Sequence, residues 1–401
     1  MSTSPSRPSY AAALRVPHAR RAFASALTAR LSYGTVALAV LLSVTRSTGS
    51  YAVSGAVMSL FGATTVFLMP LRAALIDRHG PRRALLPMSA LYGTLLCVLA
   101  ALTWRPGAPP AAIAAAAALA GACAPPLGPT MRALWAELVP DRGLLQRAYS
   151  LDGVAEELLF VSGPALVGAL LTVAPPASGI LLSAFLNIAG TCVFVTSPAL
   201  PGPRSGPRGQ RRGGVRGLLP PIAVTLGAGL ALSGVELLVP AFATERSYDT
   251  ALVPWVLGAL SAGSALGGLA NGAVEWRTPA RVRLCWFAVG LGLAIAAAGL
   301  APGLWTLTAA MACAGAFIAP TLTTAYLLAD ELAAEGAGTQ AGAWVNTAVN
   351  AGSSAGALVA GLLIGRLPLW VCFALAGGAV LASAAGGRAA GVGTRPAAHR
   401  V

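Results

Sequence analysis

The sequence predicts an all-α membrane protein with about twelve spanning helices. Of its 401 residues, 56% are apolar and only 10% are charged, and the mean hydropathy is +0.73. No water-soluble fold hides that much apolar surface. A helix that crosses the hydrocarbon core of a bilayer needs roughly 20 apolar residues, so twelve crossings take about 240 residues. The remaining residues suffice for short loops and tails.

Apolar runs that end at Pro, Gly or Arg mark the individual spans. The predicted spans are residues 23–45, 51–74, 84–103, 110–135, 151–172, 177–196, 218–243, 252–274, 284–301, 304–328, 341–364 and 368–386. Connections such as residues 104–109 and 173–176 carry Pro and are too short to hold a further domain. Only the segment 197–217 is a substantial loop.

The distribution of arginine predicts the orientation of the chain. All 27 basic residues are Arg, and the formal net charge is +14. With the N-terminus in the cytoplasm, twenty arginines fall in cytoplasmic segments and four in external ones, as the positive-inside rule requires. Arg30, Arg72 and Arg132 lie near cytoplasmic helix ends, where we expect their long side chains to snorkel toward the interface. Both termini are therefore predicted to be cytoplasmic.

Two segments of the chain recur at about half its length. Pro129-Thr130-Met131 returns as Pro320-Thr321-Leu322, an offset of 191, and residues 165–171 return at 357–363, an offset of 192. The agreement of the offsets predicts two pseudo-symmetric six-helix halves with a substrate path at their interface. The predicted parts are a cytoplasmic N-terminal tail (1–22), an N-terminal half (23–196), an Arg-rich cytoplasmic loop (197–217), a C-terminal half (218–387) and a cytoplasmic C-terminal tail (388–401).

A charged loop joins the second and third predicted spans. Its sequence is Asp77-Arg78-His79-Gly80-Pro81-Arg82-Arg83. One interpretation is a tight turn, in which Gly permits positive φ and Pro fixes φ. The loop also resembles the signature loop of the major facilitator superfamily, which stands at the same place, although Ala73 replaces its leading Gly and Pro81 displaces its basic pair by one residue. The resemblance implies the two-half major facilitator fold and makes this loop a conformational gate.

The resemblance extends to the fourth and fifth spans. Residues 125–134, residues 144–148 and Gly163-Pro164 with Gly168 are similar to this region in the drug and metabolite exporters of the superfamily. The Gly-Pro pair matches only part of their antiporter motif, since Leu159 and Val167 stand where further glycines would fall. This similarity implies a proton-driven exporter of amphipathic small molecules in a bacterial plasma membrane. Close helix packing is the alternative role for these small residues.

Four acids lie in or near predicted spans: Asp152, Glu156, Glu157 and Glu236. Asp152 and Glu156 share one helix face, and we expect the acids near the fifth span to form a structural network with Arg132, Arg142 or Arg147. Glu236 instead stands well inside the seventh span without a basic residue on its own helix. A carboxylate in hydrocarbon is costly, so Glu236 is predicted to face the cavity and to carry the coupling proton. Asp152, Glu156 and Glu157 are the alternatives.

Two further groups of residues are assigned from their positions. Asp330, Glu331 and Glu335 occupy a cytoplasmic segment without Arg, and we predict that they pair with Arg78, Arg82 or Arg83 across the gate. The candidate cavity residues are Tyr33, Asn187, Asn271, Trp344, Asn346 and Asn350. Hydrogen bonds between helices explain these polar side chains equally well.

Several classes of protein are disfavoured. The basic residues lie between apolar runs rather than in a stripe with aromatics, so no nucleic-acid partner is expected. Without any Lys there is no phosphate-binding loop of an ATP-driven pump. No His lies in a span, and no Cys-x-x-Cys pair occurs, so neither a cofactor nor a metal site is expected. The chain is predicted to be monomeric, with a small-molecule substrate, protons and the bilayer as its partners. The alternative functions are an uptake carrier, a polytopic membrane enzyme or a transporter-derived receptor.

Overall fold

The structure is a computed structural model that describes residues 10–200 and 215–392, and these residues form fifteen α-helices. The helices are α1 (Tyr10–Arg15), α2 (Ala19–Thr48), α3 (Tyr51–Phe67), α4 (Met69–His79), α5 (Pro81–Trp104), α6 (Pro110–Cys123), α7 (Leu127–Leu138), α8 (Arg142–Leu170), α9 (Ala177–Val195), α10 (Leu219–Glu245), α11 (Val253–Ala273), α12 (Ala280–Ala298), α13 (Leu304–Leu332), α14 (Gly338–Leu363) and α15 (Leu369–Val392). Two 3₁₀ turns, Val215–Leu218 and Thr250–Leu252, precede α10 and α11. Of the sequence-based division, residues 1–9 of the N-terminal tail, 201–214 of the central loop and 393–401 of the C-terminal tail lie outside the described residues.

The lengths of the helices match a multi-pass membrane protein. Within the described ranges, ten helical segments are long and apolar enough to cross a bilayer, and α6 with α7 counts as one of them (Pro110–Leu138). The pair α3 and α4, bent by 41°, makes an eleventh. The remaining predicted span, residues 341–364, corresponds to α14, which has 26 residues but carries many polar side chains. The predicted all-α membrane fold is confirmed.

Two predicted spans are broken rather than continuous. The span predicted at 110–135 is interrupted at residues 124–126, because Pro125 and Pro126 have no N–H to donate into a helix. The span predicted at 51–74 bends at Leu68, just before Pro70, and α4 then extends it to His79. Both breaks leave backbone carbonyls that need other hydrogen-bond donors.

The described chain forms two compact units. Unit 1 contains residues 10–141, 155–200 and 335–343, and unit 2 contains residues 142–154, 215–334 and 344–392. Two helices are therefore divided: the first residues of α8 belong to unit 2, and the first residues of α14 belong to unit 1. The sequence-based division at residues 196 and 218 remains a prediction.

Each unit has an apolar interior and an apolar surface. In unit 1, Tyr92, Leu96 and Leu99 of α5 pack with residues of α2, α6 and α9 in one buried cluster. Large apolar side chains also stand on the surface, among them Phe185 of unit 1 and Trp255 and Trp305 of unit 2. A water-soluble protein rarely exposes so many, whereas lipid accepts them at no cost.

Glycines allow the closest helix crossings within each unit. In unit 1, α2 meets α8 at Gly34 and Gly163, where a Cβ on Gly163 would lie 2.3 Å from the carbonyl carbon of Gly34. In unit 2, α10 meets α14 at Gly229, Gly352 and Gly356, where a Cβ on Gly356 would lie 2.0 Å from the carbonyl oxygen of Leu230. Packing of small residues brings helix backbones together in membranes, as the sequence suggested for Gly163.

Candidate functional site

Three arginines of unit 1 are buried in the protein and do not snorkel. Arg30, Arg72 and Arg132 expose only 2%, 5% and 4% of their surface. The snorkelling prediction is therefore wrong for all three. The physical reason is that each guanidinium finds carboxylate or carbonyl acceptors inside the helix bundle, which compensate its lost hydration.

Arg30 and Arg132 converge on Glu156. Arg30 Nη2 lies 3.0 Å from Glu156 Oε2, and Arg132 Nη2 donates a hydrogen bond to the same oxygen. The three side chains come from α2, α7 and α8. The Glu156 side chain keeps 27% of its surface exposed, while the two arginines are enclosed. The sequence predicted the pair with Arg132 as one of three options, but it missed Arg30.

The helix packing explains why these three groups meet. Gly34 lies one turn after Arg30 on α2, and Gly163 lies two turns after Glu156 on α8, so the glycine crossing holds the two charged positions close together. Gly128 of α7 faces the same cluster. A Cβ on Gly128 would lie 3.7 Å from Arg132 Nη1, 3.8 Å from Glu156 Oε1 and 3.9 Å from Arg30 Cζ.

Arg72 and Tyr33 instead satisfy backbone groups at the two helix breaks. Arg72 donates to the carbonyl oxygens of Thr65, near the end of α3, and Gly121, near the end of α6. The Tyr33 hydroxyl donates to the carbonyl of Pro125 in the second break. Pro125 has no N–H to bond the Gly121 carbonyl, so Arg72 has a structural role here. The role of Tyr33 as a cavity residue remains a prediction.

The charged loop at 77–83 is a one-residue link between helices. Asp77, Arg78 and His79 end α4, Gly80 has a φ of 84°, and Pro81 begins α5. Asp77 accepts hydrogen bonds from the backbone N–H groups of Thr339 (3.2 Å) and Gln340 (2.8 Å) in the first turn of α14. A carboxylate at a helix N-terminus satisfies free N–H groups and complements the helix dipole.

The other residues assigned to the gate have varied surroundings. Arg82 donates to the carbonyl of Ser197 at 3.1 Å, and Arg83 is exposed. Asp330 and Glu331 belong to the last turn of α13 rather than to a loop, and Glu331 Oε1 lies 3.2 Å from Arg142 Nη1. Glu335 is exposed in the link to α14. The pairing of these acids with Arg78, Arg82 or Arg83 remains a prediction.

Unit 2 holds an amide-centred cluster at the start of α8. The Gln146 side chain donates to the carbonyl of Asn271 and accepts a hydrogen bond from Arg283 Nη1 at 2.5 Å. Trp276 Nε1 donates to the same Asn271 carbonyl at 3.2 Å, and the Arg283 guanidinium stands 5.5 Å from the Trp276 ring centre. Sequence reasoning did not identify this cluster, although Gln146 lies in the segment 144–148 that carried the family resemblance.

Glu236 lies in α10, two-thirds of the way along the helix, and it is exposed. Its neighbours Val235 and Leu238 are buried, and Leu237 is exposed. The nearest charged residue on the same helix is Glu245, at the C-terminal end of α10. The position in an apolar helix agrees with the sequence analysis, while the coupling role remains a prediction.

Helix α14 presents a stripe of amides and hydroxyls in unit 2. Asn350 Nδ2 donates to Asn346 Oδ1 at 2.7 Å and to the Asn346 carbonyl at 2.8 Å, and Ser354 donates to the Asn350 carbonyl at 3.0 Å. Asn346 Nδ2 lies 3.5 Å from the Tyr326 hydroxyl. Asn350 and Ser354 are exposed, and Trp344 is half-buried. Exposed amides on a spanning helix require contact with water or a polar ligand.

The remaining candidate residues have buried or intermediate positions. Asn187 of α9 is fully buried, and its Oδ1 accepts a hydrogen bond from Ser89 of α5 at 2.7 Å. The bond joins two helices inside unit 1, as the alternative interpretation of this side chain stated. Asp152 is buried and Glu157 is half-buried on α8. No group of three or more His, Cys, Asp or Glu side chains that suits a metal ion occurs in the described ranges.

Comparisons with known proteins agree with this architecture. A search of curated proteins finds no significant match. Solved structures with the same fold include the human organic anion transporter MFSD10 (TETRAN; 17% identity, TM-score 0.68, covering 93% of this chain and 98% of that one). A bacterial homologue of the iron transporter ferroportin matches at 15% identity and TM-score 0.70, covering 94% and 98%. The E. coli fucose:proton symporter FucP matches at 14% identity and TM-score 0.64, covering 91% and 98%.

The family comparison covers most of the sequence. The model of the Major Facilitator Superfamily matches residues 22–357. With its two helical units, its charged turn between α4 and α5 and its likeness to solved transporters, the chain belongs to the major facilitator superfamily.

Proposed function

We propose that this member of the superfamily is a secondary active transporter that exports amphipathic small molecules in exchange for protons. Membership of the family indicates a transporter rather than an enzyme. The proposal adds the direction, the coupling ion and a bacterial plasma membrane as its location, with alternating access through rocking of the two halves.

The observation that carries the proposal is the exposed carboxylate of Glu236 within an apolar spanning helix. A carboxylate in such a position indicates a functional residue, because the charged form is costly away from water. Reversible protonation lets one residue exist as an anion on one side of the membrane and as a neutral acid on the other. The amide stripe of α14 in the same unit supplies the polar surface that a water-accessible path requires.

The relatives support transport of small solutes with different charges. The three solved structures are named as an organic anion transporter, a homologue of an iron transporter and a fucose:proton symporter. Their identities with this chain lie between 14% and 17%, so the fold is shared and the cargo is a separate question. The drug and metabolite exporters that the sequence resembles in its fourth and fifth spans favour an amphipathic cargo and export.

The test uses everted membrane vesicles that contain the full chain, an imposed pH gradient with an acidic interior, and a panel of cationic, neutral and anionic fluorescent dyes. We expect dye accumulation that collapses when the gradient is dissipated. The Glu236→Gln variant keeps size and hydrogen-bonding capacity, so it should lose uphill accumulation while downhill exchange persists.

Glu245→Gln is the matched control, because Glu245 lies on the same helix at its exposed end. It should retain accumulation. Full accumulation by Glu236→Gln would move the coupling role to Asp152, Glu156 or Glu157. Gradient-driven release of dye from the everted vesicles would indicate an uptake carrier instead.

A further inference from the structure

We propose that Arg30 and Arg132 bind the anionic group of the transported molecule, and that Glu156 occupies their site when no substrate is bound. The inference rests on the proposed transport function and names its substrate class. The substrates are then amphipathic organic anions with a carboxylate or sulfonate group.

The convergence of Arg30 and Arg132 on one oxygen supports an anion site. Two enclosed guanidiniums from different helices meet at one carboxylate oxygen, Glu156 Oε2. Arginine presents a planar fork of N–H donors that matches the oxygens of a carboxylate. An oxygen held by both arginines marks the position that a substrate oxygen would take.

The three side chains differ in exposure, and this difference also supports an anion site. Arg30 and Arg132 are fixed in the interior, whereas Glu156 is 27% exposed and is therefore the member of the cluster that a solute reaches. Exchanging one carboxylate for another keeps the charge and the charge-assisted hydrogen bonds of both arginines. A neutral or cationic molecule cannot replace them, and it would leave buried guanidiniums without their acceptor.

A small gap at Gly128 lies beside the cluster of Arg30, Arg132 and Glu156. Gly128 has no side chain at the point where a Cβ would stand 3.7–3.9 Å from atoms of Arg132, Glu156 and Arg30. These are ordinary van der Waals distances, so the packing itself does not require Gly at this position. The gap left by Gly128 has the size of a methyl group and lies beside both guanidiniums.

The energetics of the membrane agree with export of anions. An inside-negative potential favours outward movement of a negative charge. Exchange of an internal anion for an external proton uses this potential twice, since both steps carry positive charge inward in net terms. Such a carrier therefore accumulates its substrate outside.

The experiment measures binding to the purified full chain in lipid nanodiscs by calorimetry. The probes are naphthalene-2-sulfonate, which is always charged, and its neutral isostere naphthalene-2-sulfonamide. We expect the sulfonate to bind at least about tenfold more tightly, because charge-assisted hydrogen bonds are roughly twice as strong as neutral ones. Arg30→Gln and Arg132→Gln should each weaken sulfonate binding by about tenfold or more and leave sulfonamide binding unchanged.

Arg72→Gln is the matched control, because Arg72 is equally buried in unit 1 but donates only to backbone carbonyls. It should retain the preference for sulfonate even where the protein loses thermal stability. If Arg132→Gln does not fold, Arg132→Gln/Glu156→Gln removes one charge of each sign and should also lose the preference. Gly128→Ala should fold and weaken sulfonate binding severalfold.

Equal binding of the two probes by the wild-type chain would overturn the proposal, as would equal losses in Arg72→Gln and Arg132→Gln. These outcomes are independent of proton coupling. Arginine-dependent sulfonate binding without pH-driven transport would disprove the antiport mechanism and leave the anion site intact. Transport of neutral and cationic dyes without any sulfonate binding would disprove the anion site and leave the antiport mechanism intact.

Discussion

The helices that contain the recurring segments at Pro129 and Pro320 show how the two halves of the chain differ. Around Pro129 in the N-terminal half, the span is broken into α6 and α7 at Pro125 and Pro126. At the same offset of 191 residues, α13 has Ala316 and Phe317 instead, and it continues unbroken from Leu304 to Leu332. A single Pro320 inside α13 does not interrupt it. Two adjacent prolines remove two consecutive donors, and this difference separates a break from a continuous helix.

Charge is also distributed unequally between the corresponding positions. Arg132 pairs with Glu156 in unit 1, whereas the positions at the same offsets in the C-terminal half are Thr323 and Ala348. One buried cluster of unit 1 is therefore ionic, whereas α14 of unit 2 carries amides and hydroxyls, and Glu236 is a carboxylate within the apolar helix α10. Under the two proposals above, anion recognition lies in unit 1 and proton handling lies in unit 2.

The largest expected effect comes from removing the shared carboxylate of unit 1. Glu156→Leu takes away the acceptor of two buried guanidiniums, and breaking a buried pair costs about 3–5 kcal/mol. Thermal unfolding of the detergent-solubilised protein measures the loss. Glu245→Leu, at an exposed position in unit 2, should stay within about 0.5 kcal/mol of wild type.

The triple variant Arg30→Leu/Arg132→Leu/Glu156→Leu makes this part of unit 1 neutral, as the corresponding positions Thr323 and Ala348 already are. It should recover most of the lost stability, because apolar replacements of buried ion pairs are often neutral or stabilising. The contrast between the halves would fail if Glu156→Leu unfolds no earlier than Glu245→Leu.

An intermediate effect is expected at the glycine crossings, which occur within each of the two units. Gly163→Ala forces a Cβ to within 2.3 Å of the Gly34 backbone, and Gly356→Ala does the same at 2.0 Å from Leu230. Overpacking of this kind costs about 1–3 kcal/mol. Gly168→Ala and Gly361→Ala are the controls, since nothing lies within 4 Å of a Cβ at either position. A large loss in one unit alone would make the crossing specific to that half.

The smallest effect is expected at the charged turn. Asp77→Asn keeps an acceptor for the first turn of α14 but removes the charge, which contributes about 0.3–1 kcal/mol at a helix N-terminus. Hydrogen exchange of the Thr339 and Gln340 amides should accelerate. Glu335→Gln changes an exposed acid just before the same helix and should leave both amides unaffected. Unchanged exchange in Asp77→Asn would mean that the hydrogen bonds, and not the charge, hold the turn.

Much of the architecture could be predicted because it depends on local sequence. Apolar runs of membrane length predict spanning helices wherever they fold, and Gly80-Pro81 predicts a turn with positive φ whatever surrounds it. The break at Pro125-Pro126 had a local signal too, but the apolar residues on both sides favoured a single span. Glu236 was found because a carboxylate within an apolar run stands out.

The partners of the charged side chains could not be predicted in this way. By sequence alone Arg30 is a basic residue near a helix end, for which snorkelling is the expected behaviour. Only the tertiary structure, through the crossing at Gly34 and Gly163, brings Arg30 to Glu156 and encloses both arginines. Hydrophobic burial depends on local composition, whereas an ion pair depends on the distance between residues far apart in the chain. The sequence therefore determined which segments enter the membrane, and the packing of α2, α7 and α8 decided which of their charges meet.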